Sequence, residues 1–229
     1  CHTTNKQVVY NTAIGKLPTA TLDGYTFNGW WAKGATKATT EADIFAGLEN
    51  LTLTADWEAC QYTVSFLPEG GITTADNKQV TYQAKYGDLP TATRDGYTFD
   101  GWFTCDNEPI TSNTTYTKIG NQELHAHWTA QKFTVTFSVA TGVNLDTQSK
   151  EVTFDSPYGE LPTPTLAGYE CTGWYTTQYG GSLVSHSTIV STAQAHTLYA
   201  HWKEADITIH FNSNDGSKVA DQTRKYEGL

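Results

Sequence analysis

The side chains best equipped for chemistry here are a histidine pair, four cysteines and one oxygen-rich turn. His125 and His127 stand two apart in Leu124-His125-Ala126-His127-Trp128. On a strand that spacing puts both imidazoles on one face, where they could hold a transition metal. Asn212-Ser213-Asn214-Asp215-Gly216-Ser217 is dense in oxygens and would suit calcium, but Asn-Asp-Gly is also what a chain reversal uses, and the turn reading is preferred. The cysteines, Cys1, Cys60, Cys105 and Cys171, include no CxxC spacing, so a zinc ribbon is not indicated. There is no GxSxG elbow, no Cys–His arrangement and no matched carboxylate pair for acid–base work. Sequons at Asn50 and Asn113 would matter only in a eukaryotic secretory host.

What positions these groups is a repeat. Gly24-Tyr25-Thr26-Phe27-Asn28-Gly29-Trp30-Trp31 returns as Gly96-Tyr97-Thr98-Phe99-Asp100-Gly101-Trp102-Phe103 and as Gly168-Tyr169-Glu170-Cys171-Thr172-Gly173-Trp174-Tyr175, each 72 residues on. A fixed period of that size makes the chain an array of small modules. Within each copy, alternating aromatics bounded by glycine predict a strand. The first glycine lets the chain turn in. The second, Gly29, Gly101 or Gly173, marks a bulge that aims Trp30, Trp102 and Trp174 into a core. A last strand ends on Trp57, Trp128 or Trp202, read as part of the same core. An exposed ladder of sugar-stacking rings is the competing reading of these tryptophans.

The period also weighs the chemistry. His201 matches His127 in the third module, but Tyr199 replaces His125 there and Asp56 replaces His127 in the first, so the histidines read as a solvated strand face. The cysteines do not recur with the repeat, which excludes a per-module disulfide framework. Cys171 replaces Phe27 and Phe99 and reads as a small core hydrophobe. A Cys60–Cys105 bridge remains a candidate, since sequence cannot fix connectivity.

Between these landmarks the elements follow one order. A strand at Gln7–Tyr10, 79–82 and 151–154 runs into a Gly-x-Leu-Pro crossing at 15–18, 87–90 and 159–162. After the aromatic strand come irregular loops at 32–50, 104–122 and 176–196, with a short helical turn predicted at Thr40–Ala46. First strands open at Tyr62–Phe66, Phe133–Phe137 and Ile207–Phe211, and the first module lacks one. The modules are therefore read as 1–59, 60–130, 131–204 and an opening hairpin at 205–229. Linkers of three residues or so, free of glycine runs, predict a stiff rod.

The formal net charge is −10, with no basic stripe for phosphates, so nucleic acid is not an expected partner. No apolar run reaches membrane-spanning length in this fragment. With no methionine anywhere, residue 1 is not a translation start, and the chain is expected to be a processed product or a fragment. The Thr-, Asn-, Gly- and Ser-rich composition suits an extracellular or cell-surface β protein.

Taken together, Tyr62–Phe66, the Tyr86-Gly87-Asp88-Leu89-Pro90 run leading to Gly96–Phe103, and Leu124–Trp128 closely resemble the Listeria–Bacteroides repeat, the module type that includes the B repeat of internalin B. The resemblance covers essentially the whole chain. It implies a small β-grasp-like domain used in tandem on bacterial surface proteins, with no catalytic residues to carry over. Cys171 and Ile14 depart from the pattern and read as packing substitutions.

The expected fold is therefore mainly β (α+β at most), a tandem array of β-grasp-like modules forming an elongated rod. The expected role is non-catalytic, without cofactor or metal: a surface stalk or filament segment. Its partners would be other copies of the chain or neighbouring repeats of a longer one. One form of this is head-to-tail polymerisation, in which Ile207, Thr208, Ile209, His210 and Phe211 enter the incomplete first module of the next chain. A plain window of a longer covalent array is the bland alternative. The rival function is an adhesin or glycan-binding module that meets a host or matrix protein, or a glycan, through exposed aromatics and loops.

Overall fold

The computed structural model describes residues 4–225; residues 1–3, Cys1 among them, and 226–229 lie outside the described part. Its described residues contain strands and no helix. The chain divides into two compact units, Cys1–Ala92 with Gly101–His127, and Thr93–Asp100 with Trp128–Leu229.

The first unit begins with β1 (Thr12–Ala13), β2 (Tyr25–Ala32), β3 (Ile44–Phe45) and β4 (Leu53–Ala59). β2 and β4 form an antiparallel ribbon, and β1 pairs with β3. The predicted helical turn at 40–46 is not formed. The Asp43 carboxylate accepts from the Thr40 N–H, and Ile44 and Phe45 bridge to Ala13 and Thr12 instead. The chain continues with β5 (Gln61–Leu67), β6 (Ile72–Thr73), β7 (Asn77–Thr81), β8 (Ala92–Thr93), β9 (Tyr97–Phe103), β10 (Pro109–Ile110) and β11 (Gln122–Ala130). A five-stranded sheet runs β10-β9-β11-β5-β7. β5 is antiparallel to β7 but parallel to β11, with Phe66 opposite Leu124. Alternation along these strands buries Val64, Phe66, Leu124 and Ala126 on one face, against Trp102 and Tyr116.

The second unit holds the counterpart sheet. Its strands are β12 (Lys132–Ser138), β13 (Ser149–Thr153), β14 (Tyr169–Tyr175), β15 (Leu183–Val184) and β16 (His196–Glu204), ordered β13-β12-β16-β14-β15. Again the first and last strands, β12 and β16, are parallel. Val135, Phe137, Val152, Tyr158, Trp174, Val184, Val190 and Leu198 form the buried cluster. A separate ribbon of β17 (Asp206–Ile209) and β18 (Gln222–Lys225) follows.

The loops read as variable surface contribute to the core. Tyr116 and Val190, both from loop segments, are wholly buried. Each is fixed by a hydrogen bond from the turn before the crossing: Gln83 N–H donates to the Tyr116 carbonyl, and Asp155 N–H to the Val190 carbonyl. Ile14, Tyr86 and Tyr158, which precede the crossing glycine, donate in turn to Asp43, Thr114 and Thr188 carbonyls. The loops and even their anchor residues vary in sequence, while these backbone bonds recur.

Candidate functional site

Three constructions recur along the chain, and their glycines, tryptophans, lysines and seated rings keep the 72-residue period. The first is the bulge. The register shifts between Phe27 and Gly29 and again between Cys171 and Gly173. The three glycines take φ of +113°, +128° and +129°, a region that disfavours any other residue. The extra residue returns the following tryptophan to the same face as the side chain three positions earlier, so Trp174 faces inward with Cys171. Each indole then donates Nε1–H to the carbonyl of the crossing proline: Trp30 to Pro18 at 2.7 Å, Trp102 to Pro90 at 2.7 Å and Trp174 to Pro162 at 2.8 Å. Trp102 and Trp174 are buried. Trp30 is half-buried, because no first strand covers it among the described residues.

The second tryptophans behave differently from the sequence reading. Trp57, Trp128 and Trp202 are half-buried, and Trp202 lies outside the buried cluster of its unit. Trp57 packs on Phe27 and Trp128 on Phe99, each with ring centroids 5.3 Å apart. Trp202 Nε1 has no hydrogen-bond partner among the described residues.

The second construction is a lysine tie that the sequence reading missed. Lys78 Nζ donates to the Tyr86 and Asp88 carbonyls, both at 2.6 Å, and Lys150 Nζ to the Tyr158 and Glu160 carbonyls at 2.7 Å. Lys6 makes the corresponding bond to Lys16. These three lysines are themselves 72 apart, which was the available signal. The ammonium charge sits on carbonyls of the crossing that no strand partner satisfies. Beneath it, burial and the neighbouring Tyr116 push the Tyr86 phenol up to about 12. Its hydroxyl donates to Gln122 Oε1, and the Tyr158 hydroxyl meets His196 Nε2 in the same place.

The third construction joins one repeat to the next. Within the first unit, the Tyr82 ring lies against Gly24 and meets Tyr25 edge-on at 5.5 Å. Within the second, Phe154 lies against Gly96 and meets Tyr97 edge-on at 5.5 Å. A Cβ on Gly24 would fall 2.3 Å from the Tyr82 ring, and one on Gly96 2.4 Å from the Phe154 ring. The glycine that opens the octet is thus required by φ near +76° to +79° and by the ring it receives. One linking residue ties the backbone on both sides. Cys60 N–H donates to the Gly24 carbonyl while its own carbonyl accepts from Tyr82 N–H, and Gln131 repeats both bonds with Gly96 and Phe154. Asp155 accepts from the Tyr97 hydroxyl at 2.8 Å, which raises that phenol above its ordinary range. The residue that continues this series, Tyr226, lies outside the described residues. Tyr10, at the preceding position, is 59% exposed.

The remaining chemical candidates are dispersed. His125 Nδ1 pairs with Glu69 Oε1 at 2.7 Å, whereas the His127 ring stacks on Phe103 at 3.9 Å. His201 stacks on Tyr175 in the same way. Cys60, Cys105 and Cys171 are free thiols, so the candidate Cys60–Cys105 bridge is not formed. Cys60 lies in the link between repeats, with Sγ 3.5 Å from Thr26 Oγ1, while Cys105 sits in the exposed turn after β9. At the Asn212–Ser217 run the chain turns: Asn214 N–H donates to Asn212 Oδ1 and Gly216 N–H to the Ser213 carbonyl. The strand read as intermolecular is placed in β17, with Ile207 opposite Arg224. His210, just beyond it, pairs with Asp221 at 2.9 Å.

The recurring geometry has relatives. A protein of Evansella cellulosilytica that carries the provisional name Gly-rich membrane protein is 28% identical over 227 residues, 96% of this chain and 25% of its own length. Internalin H of Listeria monocytogenes is 43% identical over 91 residues, 38% of this chain and 16% of that protein. The chain thus spans about a quarter or less of the length of these two relatives. The family model described as the Listeria-Bacteroides repeat domain matches residues 2–56, 62–127 and 133–201. With three consecutive matches over most of its length, this chain belongs to the Listeria–Bacteroides repeat family.

Proposed function

We propose that this chain is a non-catalytic structural segment of an extracellular or cell-surface protein, a stalk or filament piece whose work is done by the repetition itself. The observation that carries this reading is what the periodic residues are used for. Gly29 and Gly173 hold bulges and Gly101 shares their positive φ, Trp30, Trp102 and Trp174 bond to proline carbonyls, and Lys6, Lys78 and Lys150 tie the crossings. Gly24 and Gly96 receive the next repeat's ring. The residues that recur shape each repeat and join it to the next. The names of the relatives, a membrane protein and an internalin, support placement at the cell surface.

The finer reading is head-to-tail assembly. β17 and β18 pair in the register of β5 with β7 and β12 with β13: Ile207 faces Arg224 as Tyr62 faces Val80 and Phe133 faces Val152. Yet Ile209 and Phe211 are 42% and 43% exposed where Val64 and Phe66 are 0% and 3%. β4 in turn has only β2 beside it among the described strands, where its counterparts β11 and β16 also carry β5 and β12. The exposed face of β17 and the open edge of β4 are complementary, and strand addition of one chain to another copy satisfies both. In a longer chain the same hairpin would open a further repeat.

Sedimentation velocity over a wide concentration range tests the assembly. Open-ended growth of the intact chain, abolished by Ile209→Asp, is the expected result. A monomer at every concentration overturns head-to-tail assembly. Saturable binding on a glycan array, lost on substituting exposed loop aromatics such as Tyr179, overturns the purely structural reading in favour of an adhesin.

A further inference from the structure

We infer that the second and third repeats are mechanical clamps, built to resist tension applied along the chain. The inference deepens the stalk reading and rests on it for its biological use, but its geometry stands within each repeat. β5 and β11, the first and last strands of the second repeat, are neighbours and parallel, with Gln122, Glu123, Leu124 and His125 opposite Val64, Ser65, Phe66 and Leu67. β12 and β16 do the same in the third, with Val135 to Ser138 opposite His196 to Tyr199.

Tension enters β5 at its beginning, straight from β4 through Cys60 alone. It leaves β11 at its end, straight into β12 through Gln131 alone. Two parallel strands pulled from opposite ends slide past one another, so every hydrogen bond between them is loaded at once. An antiparallel hairpin pulled at its two ends would instead open one bond at a time. The clamp is reinforced where it bears load. Asn121 Oδ1 accepts from Thr63 N–H at 2.9 Å and extends the pairing beyond the ladder. Val64, Phe66, Leu124 and Ala126 are buried behind it, which keeps water from replacing the bonds as they stretch. Forced unfolding is governed by the height of the barrier to leaving the native state, and simultaneous loading raises it for this one direction of pull.

The prediction is one of direction. The intact chain, held by tags at its two ends and stretched in a single-molecule force experiment, should give two high-force events, one each for the second and third repeats. The same chain, held instead by clickable residues at position 75, in the exposed loop between β5 and β7, and position 130, at the end of β11, peels those strands from one end. The second repeat should then yield at a several-fold lower force. Denaturant unfolding of both handle-bearing chains confirms equal stability, so a force difference reports direction alone. Equal forces in the two geometries overturn the clamp while leaving the surface role to the sedimentation test. A marked anisotropy supports the clamp even for a chain that sediments as a monomer.

Discussion

Gly96→Ala isolates the junction between repeats, because the structure separates its two costs. Gly96 has φ +76°, a left-handed conformation that penalises a side chain by about 1–2 kcal/mol. The new methyl would also lie 2.4 Å from Phe154 Cδ1, well inside contact distance, so the ring or the strand must move. Overpacking of that kind costs about 1–3 kcal/mol, for a total of roughly 2–5 kcal/mol. Gly142→Ala provides the control: φ is +87° in the same unit, with nothing within 4 Å of the added Cβ, so only the backbone cost applies. Removing the ring with Phe154→Leu should return Gly96→Ala to the level of that control. Urea unfolding followed by tryptophan fluorescence measures all four variants, and the double-mutant cycle should give a coupling of about 1–3 kcal/mol. A Gly96→Ala cost no larger than that of Gly142→Ala, or one unchanged when the ring is gone, would refute the reasoning.

Trp102→Phe should cost about 2–4 kcal/mol by chemical denaturation, since it loses buried volume and strips the Pro90 carbonyl of its donor, while Trp202→Phe, half-buried and without that bond, should cost under about 1.5 kcal/mol. Lys78→Met removes two bonds to crossing carbonyls and should cost about 1–3 kcal/mol, against less than about 1 kcal/mol for Lys132→Met, whose pairing with Glu151 is exposed. Stability should also fall in alkali. The folded Tyr86 phenol titrates at about 12 and the unfolded one near 10, so its contribution is intact below about pH 10 and is lost as pH rises towards 12. Urea midpoints between these limits should drop more steeply for the natural chain than for Tyr86→Phe; equal slopes would remove Tyr86 from the account.

What the sequence shows directly is what lies close in the chain or repeats within one strand. The octet with its internal glycine predicts a strand, a bulge and an inward indole, and all three are present at Gly173 and Trp174. The mainly β fold follows from the same alternation. The lysine ties were hidden because Lys78 reads as a polar strand residue until the folded crossing brings two carbonyls to it. The opening glycine was read as a turn residue, although its partner ring, Tyr82 or Phe154, recurs at the same period as Gly24 and Gly96. Side chains brought together from different repeats leave no local pattern. Tyr116 and Val190 were missed for a related reason: an irregular loop offers no alternation by which a buried residue shows itself. The short helical turn at 40–46 gives way because Ile44 and Phe45 pair with Ala13 and Thr12, a long-range pairing that no local pattern announces.

Successive repeats lock together by seating an aromatic ring on a glycine, and proton NMR reads this directly. The α proton that occupies the place of a Cβ on Gly24 and on Gly96 points into the face of the Tyr82 or Phe154 ring. Both resonances should be shifted strongly upfield by ring current, and each should return to its ordinary position when Tyr82→Leu or Phe154→Leu removes its own ring. Glycine α protons at unshifted positions in the natural chain would contradict the account.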